Sequence, residues 1–579
     1  MAKRILIIGG VAAGPKVAAK LRRLDSRAEI TILERGEFLS YAGCGLPYYV
    51  SGEIKQQREL METSAGVMRT PEYFEKTKRI SVHNRTEAQQ VDREKKEVKA
   101  RHLDTGDITI FPYDLLVFAT GSKPFIPPVP AVDLDMPDME LSCLDLGNVT
   151  TLHGIEDAEK VRWTIREKLA KQAVIVGGGL IGMEMTESLV KSGLKVTVIE
   201  MMDEILPLVL DPDMGILVRR YCREKGVDVR VGEKVMRLEG RDGVVRRVVT
   251  RQGSYPADLV ILAAGFRPHS DLAVSCGLET GLYGGIIVDS HMRTRDPNIY
   301  AVGDCVETTN IVCDKSAYFP LGSLANKQGR VVANNIAGDE DIFPGGLNST
   351  IFKIFDFTVA RTGMSTQQAQ EMGIDALYSI VPASDKAHYY PGARRVITKL
   401  VAERKSGKIL GAQFVGEGEV TKSVNTVACA LFYGGMVRDL SNLDIPYAPP
   451  YASAIDNVCV AANVLRNKLA GLMDGISPLQ VEERRRKGDA ILLLDVRTIP
   501  EFEKVRIPGS TCIPLAEIRE RIEELPRNLD IIIFCAVSAR GYEAAIILKE
   551  AGYSRVQVMD GGLAVWPFDL ENEEERTGR

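Results

Sequence analysis

Two cysteines stand in surroundings suited to sulfur chemistry. The first lies in Ser40-Tyr-Ala-Gly-Cys44-Gly-Leu-Pro-Tyr-Tyr49. Its glycines and proline make a turn that places the sulfur at an expected helix start. Such a site lowers a thiol pKa and supplies thiolate, the reacting form. No CxxC or CxxxxC pair occurs in the chain, so Cys44 has no resolving partner nearby. It must work alone, through a mixed disulfide with a small thiol or through a sulfenic acid. The second cysteine ends the apolar strand Asp530–Phe534 and opens the loop Cys535-Ala-Val-Ser-Ala-Arg540, ahead of a helix expected over Gly541–Ala551. Successive backbone N–H groups and a helix N-terminus stabilise a thiolate or persulfide anion, and Arg540 adds a fixed cation. The other eight cysteines are scattered and are expected to be small buried hydrophobes. Neither they nor the six histidines cluster at ligand spacing, so no metal site is expected.

Nucleotide chemistry is expected at two glycine turns. Gly177-Gly-Gly179-Leu-Ile-Gly182 is a full GxGxxG between the strand Ala173–Val176 and a helix running through Ser192. Such a turn lets the backbone approach a pyrophosphate, which then sits on the helix N-terminus. Glu200 follows Gly182 by 18 residues, at the end of the strand Lys195–Glu200, where a carboxylate grips both ribose hydroxyls. A 2′-phosphate about 4 Å away would cost on the order of 4 kcal/mol at an effective dielectric of about 20. The next residues, Met201, Met202 and Asp203, offer no cation, so NADH is expected over NADPH. The earlier turn, Gly9-Gly-Val11-Ala-Ala-Gly14, has valine where the second glycine would stand. It still joins a buried strand to a helix, Pro15–Leu24, and Glu34 closes the strand Glu29–Glu34, 20 residues beyond Gly14.

These sites need several scaffolds. A chain of 579 residues is too long for one core, so three or four domains are expected. Hydrophobic residues make up 45% and charged residues 26%, ordinary for a globular protein. A net charge of −5 and a pI near 5.9 give no overall basic field for nucleic acid or anionic membrane. The apolar run Ile5–Gly10 is too short for a signal peptide or a membrane span, so a cytoplasmic protein is expected. Strands Leu115–Ala119 and Leu259–Ala264 lead to Gly121 and Gly265, and read as late strands of the two lobes. From about Gly346 to Ala454 the pattern changes to strands such as Arg395–Ala402 and helices such as Val420–Tyr433. Gly471–Pro478 reads as a linker, Glu482–Lys487 as a solvated helix face, and Glu571–Arg579 as a frayed polar tail.

Taken with Tyr113-Asp-Leu-Leu-Val-Phe-Ala-Thr120-Gly121 and Ile299-Tyr-Ala-Val-Gly303-Asp304, the two turns resemble the pyridine nucleotide–disulfide oxidoreductase superfamily from Met1 to about Ala454. The resemblance implies an α/β fold with two Rossmann-like lobes, FAD in the first and NADH in the second, followed by an α+β dimerisation domain. Residues 1–150 would open the FAD domain, 151–268 hold NADH, 269–330 complete the FAD domain and 331–470 dimerise. Gly9, Gly14, Glu34, Arg35, Thr120, Gly121, Gly303 and Asp304 would then meet FAD, with Asp304 on its ribityl chain. Gly177, Gly179, Gly182, Glu200 and Gly265 would meet NADH, with Glu184 beside the nicotinamide and flavin.

The Ser40–Tyr49 segment resembles the S-x-x-x-C-G-L-P-Y-Y element of the coenzyme A-disulfide reductases and their persulfide-reducing relatives. By that resemblance Ser40 belongs to the cofactor-binding set, and Arg22 and Arg23 suit coenzyme A phosphates. Tyr389-Tyr-Pro-Gly and Tyr447-Ala-Pro-Pro-Tyr451 resemble two elements that the subgroup brings from the partner subunit, so Tyr389 and Tyr447 would hydrogen-bond a substrate sulfur or oxygen. Many relatives have asparagine before the cysteine, where this chain has Gly43. Oxidases and peroxidases of the superfamily typically place a histidine in the first glycine turn, and Gly9–Pro15 has none.

Leu492-Leu-Leu-Asp495-Val-Arg497, Ile507-Pro-Gly-Ser, the Cys535 loop and Gly561-Gly-Leu-Ala-Val-Trp566 together resemble a single rhodanese domain, expected over 477–570. Related phosphatases need five residues between cysteine and arginine. Here there are four, which favours sulfur. The expectation is a homodimeric, NADH-dependent FAD enzyme whose active site is completed across the interface. It would reduce coenzyme A persulfide or polysulfide through Cys44, release sulfide, and handle sulfane sulfur at Cys535. Coenzyme A-disulfide reduction, a rhodanese sulfurtransferase with an accessory flavin half, and NADH oxidation by oxygen are the alternatives.

Overall fold

The computed structural model describes residues 2–572, with 136–140 described as backbone only. The chain divides into two compact units, Met1–Met201 with Val227–Asn348, and Met202–Gly226 with Ser349–Arg579.

The first unit holds two five-stranded parallel sheets of the same plan. In one, Arg4–Ile8 lies between Glu29–Leu33 and Leu115–Phe118, with Ser81–His83 and Ile299–Ala301 at the edges. Ile5, Leu6, Ile7 and Ile8 are all buried, as a central parallel strand covered on both faces requires. Ile299–Ala301 enters this sheet after the whole second lobe has intervened, and so brings Gly303 and Asp304 back to the first. The helix Ala13–Leu24 follows the first strand and buries Ala13, Val17, Ala18 and Leu21, a helical stripe. The second sheet places Gln172–Val176 between Leu259–Leu262 and Lys195–Ile199, and the helix Leu180–Lys191 packs on it.

The second unit begins with an antiparallel sheet in the order Thr350–Ile354, Phe357–Gly363, Ile409–Gly416, Arg395–Glu403, Ala376–Ser384. Helices Thr421–Phe432 and Asn457–Leu469 pack against it. Lys399, in the middle of a core strand, is 2% exposed and reaches Asp211 at 2.9 Å and Asp213 at 2.7 Å. Its buried charge is thereby paired twice, as a desolvated ammonium requires.

A parallel sheet follows, in the order Gly475–Ile476, Val556–Met559, Asp530–Phe534, Ile491–Asp495, Thr511–Cys512. The segment Gly471–Pro478 is therefore not a free linker. Gly475–Ile476 is an edge strand, and Met473 is buried in the same core as Cys535. Lys468, at the end of the preceding helix, donates to Asp560 at 2.7 Å and to the Tyr378 carbonyl at 2.8 Å. Nor is Glu482–Lys487 simply a solvated face: Arg484 reaches Asp530 at 2.6 Å and Arg485 donates to the Pro508 carbonyl at 2.9 Å. Of the expected polar tail, Glu571–Asn572 pairs with Val505–Arg506, and 573–579 lie outside the described residues.

Candidate active site

The two glycine turns share one geometry. Gly9 and Gly177 have φ of +118° and +110°, and a Cβ on either would meet a backbone carbonyl oxygen of the neighbouring strand's end at 2.0 and 2.4 Å. Only glycine fits there. A Cβ on Gly14 or Gly182 would meet the carbonyl oxygen of Gly9 or Gly177 at 2.0 Å, so helix and strand approach closely in both lobes. Gly179 faces open space, which leaves its backbone free for a pyrophosphate. The two acidic strand ends behave alike. Glu34 accepts from the N–H groups of Gly10 and Gly36 at 2.6 Å each, and Glu200 accepts from that of Gly178 at 2.7 Å. Each carboxylate thus locks its turn while lying beside the expected ribose position.

Around the first turn, Gly303–Cys305 forms a short 3₁₀ turn whose Gly303 N–H donates to Gln328 at 2.7 Å. The Ser122 hydroxyl donates to Asp304 at 3.3 Å. Sequence reasoning missed Gln328 and Ser122, which carry no motif. Thr120 spends its hydroxyl on the His269 carbonyl at 2.6 Å, while Gly121 and Gly265 take positive φ at strand ends. Arg35 is exposed and lies 4.0 Å from Glu87. Ser40 ties the Cys44 segment to the turn: its N–H donates to the Gly10 carbonyl, and its own carbonyl accepts from Arg69 at 2.8 Å. These residues fit FAD in the first lobe and NADH in the second.

Burial pushes the Asp304 carboxyl up to about 6, with the Ser122 hydroxyl pulling weakly the other way. A value raised on folding marks stability present below about pH 4 and lost as the pH rises to about 6. Replacing Asp304 by asparagine should therefore stabilise the apoprotein at pH 7, by at most about 3 kcal/mol, and weaken its hold on FAD. Thermal unfolding of both apoproteins at pH 7 and pH 4 checks this. Equal Tm values at pH 7 would contradict it.

Cys44 sits in the 3₁₀ turn Gly43–Gly45, directly before the helix Leu46–Val50. The expected lowering of its thiol pKa does not follow. Cys44 is exposed at the surface, yet partial desolvation pushes its thiol up, and the Glu184 and Asp304 carboxylates push it further. A five-residue helix has too small a dipole to offset desolvation and two nearby carboxylates. Glu184 lies on the helix Leu180–Lys191 and accepts from Tyr48 at 3.5 Å, and the Ser188 hydroxyl donates to the Pro47 carbonyl at 2.8 Å. The second lobe's helix thus fixes the backbone that follows Cys44. Removing the Glu184 charge should shift the pH midpoint of Cys44 alkylation downward. Peptide mapping of iodoacetamide-labelled Glu184→Gln against the parent checks this; an unchanged midpoint would show that burial alone sets the thiol.

Arg22 is not placed for coenzyme A phosphates. All five of its N–H groups are spent on backbone carbonyls, those of Asp25, Ser26, Ala28, Lys78 and Arg79, at 2.7–3.1 Å. It staples its helix end to the Lys78–Arg79 turn. Arg23 is exposed.

In the second unit, Tyr389 and Tyr447 are 66% and 48% exposed, and the Tyr389 hydroxyl is near enough to push the Tyr447 phenol up. The structure therefore brings the two predicted tyrosines together. Cys535 is buried at the mouth of its loop. The Leu563 and Ala564 N–H groups donate to the Cys535 and Ala536 carbonyls at 2.9 and 3.0 Å, so the Gly561–Trp566 motif floors the loop. Ser538 takes φ +79°, and its hydroxyl donates to the Met559 carbonyl at 2.8 Å. Arg540 closes the Cys535 loop, but it is not the lone fixed cation expected: Glu501 pairs with it through both oxygens, at 2.8 and 2.7 Å. The Arg540 guanidinium holds the Glu501 carboxyl down at about 2. Asp495 and Arg497, at the end of the neighbouring strand, form a buried pair at 2.7 Å.

Two glycine turns with acidic strand ends, a single cysteine between a GD turn and a second-lobe carboxylate, and a rhodanese-type loop define a flavin- and pyridine-nucleotide-dependent oxidoreductase joined to a sulfur-handling domain. The chain belongs to the pyridine nucleotide-disulphide oxidoreductase family, which matches residues 3–329. The family's dimerisation domain matches 349–459, and a rhodanese-like domain matches 477–567. The family uses FAD and NADH, consistent with the two turns. A coenzyme A-dependent NAD(P)H sulfur oxidoreductase from Pyrococcus abyssi is 35% identical, over 80% of this chain and 98% of its own length. An NAD-dependent persulfide reductase from A. fulgidus is 42% identical with a TM-score of 0.90, covering 97% of this chain and 100% of the other. The reduced Bacillus anthracis CoADR-RHD is 34% identical with a TM-score of 0.89, over 98% of each chain. No helix among the described residues is long and apolar enough to cross a membrane.

Proposed function

We propose that this protein is an NADH-dependent FAD reductase of persulfides and polysulfides, with coenzyme A persulfide as its substrate and sulfide as its product. The observation that carries this reading is a redox cysteine with no resolving partner in the same chain as an intact Cys535–Arg540 loop. The sulfur oxidoreductase and persulfide reductase named among the relatives support it.

The first glycine turn, Glu34 and Asp304 would hold FAD, which would supply the two-electron chemistry that links NADH to the cysteine side. Cys44, as thiolate, attacks the carrier-side sulfur of R–S–SH; a Cys44–S–S–R bond forms, the old S–S bond breaks and hydrosulfide leaves. Two electrons then cleave the mixed disulfide, returning the Cys44 thiolate and releasing the thiol carrier. Glu184 would exchange a proton with the leaving sulfur, and Tyr48, whose hydroxyl donates to it at 3.5 Å, would orient it. Of the pair Arg22 and Arg23, the exposed Arg23 would meet a carrier phosphate. The dimerisation domain supports a homodimer, in which Tyr389 and Tyr447 of a second copy reach the sulfur substrate. Cys535 loads and presents sulfane sulfur.

Anaerobic NADH oxidation with coenzyme A persulfide against coenzyme A disulfide tests the assignment. A kcat/KM larger for the persulfide by roughly tenfold or more, about 1.4 kcal/mol in transition-state binding, is expected. Faster turnover of the disulfide would make the protein a coenzyme A-disulfide reductase.

A further inference from the structure

We propose that Glu501 makes Cys535 selective, so that it takes sulfur from an organic persulfide and rejects the thiosulfate dianion. This deepens the reading of Cys535 as a sulfur carrier and rests on it. Between the cysteine and Arg540 the loop holds Ala536, Val537, Ser538 and Ala539, none of them charged, and the Ser538 hydroxyl is committed to Met559. Arg540 is thus the loop's one cation, and Glu501 engages it with both oxygens. Glu501 is itself fixed by the Thr498 N–H at 3.0 Å and the Thr498 hydroxyl at 2.8 Å. The other guanidinium of this strand end, Arg497, is buried against Asp495.

Beside Arg540 lies a groove of about 600 Å³. Leu515, Ile546 and Ile547 give it an apolar wall, and Arg519, Glu543 and Glu550 also line it. Counting Glu501, three carboxylates oppose two guanidiniums. A dianionic donor would therefore approach a region of net negative charge, with its natural cationic anchor already paired. An organic persulfide fits this groove better, because its carbon chain can lie on the apolar wall. The Cys535 thiolate attacks its terminal sulfur, a Cys535–S bond forms, the donor's S–S bond breaks, and the thiolate R–S⁻ leaves. The proton stays on the transferred sulfur, and nothing is oxidised or reduced overall. The same step with thiosulfate brings two negative charges into the site and must expel sulfite.

The test measures sulfur loading of Cys535 by rapid quench and mass spectrometry, on full-length holoenzyme carrying Cys44→Ser, without NADH. The donors are thiosulfate and N-acetylcysteamine persulfide. The organic donor should load Cys535 faster. Glu501→Gln keeps an oxygen for Thr498 but removes the charge, and should raise loading from thiosulfate roughly tenfold or more while moving the organic donor by about twofold at most. Glu543→Gln should act in the same direction by less, which separates a charge effect from local disturbance of the Thr498 turn. Thiosulfate loading that equals the organic donor, or a donor ratio unchanged in Glu501→Gln, would overturn the proposal. Loading from neither donor would instead remove the sulfur-carrier reading, and this inference with it.

Discussion

Replacing Cys44 by serine should abolish NADH-driven sulfide release while leaving reduction of the flavin by NADH intact. Serine keeps the size of the side chain and the 3₁₀ turn Gly43–Gly45, but a hydroxyl neither attacks a persulfide nor holds a mixed disulfide. The Glu184 and Asp304 carboxylates, whose charges push the thiol up, are oxygen anions, too weakly nucleophilic toward sulfane sulfur to replace a thiolate. With no CxxC or CxxxxC partner in the chain, no second thiol is spaced to take over. Stopped-flow absorbance should show the flavin bleached by NADH at the parent rate, then no further turnover when persulfide is added. A loss of roughly a thousandfold or more is expected, comparable to removing a covalent nucleophile elsewhere. Turnover that survives would mean sulfur is reduced without a covalent enzyme intermediate.

The second large effect concerns the reductant. NADPH should serve with a kcat/KM about a hundred- to a thousandfold below that of NADH, since a charge clash of about 4 kcal/mol sets the upper bound. Glu200 is buried and already bonded to the Gly178 N–H, so it cannot swing away from a 2′-phosphate without breaking the turn. Met201, Met202 and Asp203 supply no cation, and Arg230, on the neighbouring strand, is paired with Asp228 at 2.8 Å. Glu200→Gln should narrow the preference from both sides. NADPH loses the repulsion, and NADH loses a charged acceptor for its ribose hydroxyls, a bond worth about 1.5–3 kcal/mol. Steady-state kinetics with both nucleotides decides the matter; equal use of NADPH by the unaltered chain would refute the role given to Glu200.

The elements that position these groups were legible where the signal is local. Strands such as Arg4–Ile8 and Gln172–Val176 are apolar and buried after their first residue, and their glycine turns admit no side chain at Gly9 or Gly177. The Asp530–Phe534 strand and the loop it feeds read directly from composition. What sequence spacing could not disclose depends on residues far apart in the chain. Arg22 is committed to the turn at Lys78–Arg79, 56 and 57 residues away. Glu501 meets Arg540 across 39 residues and has no motif pointing to it. The Cys44 thiol is set less by its own short helix than by desolvation and then by Glu184 and Asp304, which the fold delivers from two other segments. Gly471–Pro478 has the composition of a linker, yet Met473 and the strand Gly475–Ile476 are held by a sheet formed mostly later in the chain.

The most direct test of the account counts sulfide. Anaerobic holoenzyme, limiting NADH and excess coenzyme A persulfide should yield one sulfide for each NADH consumed, and Cys44→Ser should yield none. NADH consumed without sulfide would contradict persulfide reduction at Cys44 and leave the flavin half with a different acceptor.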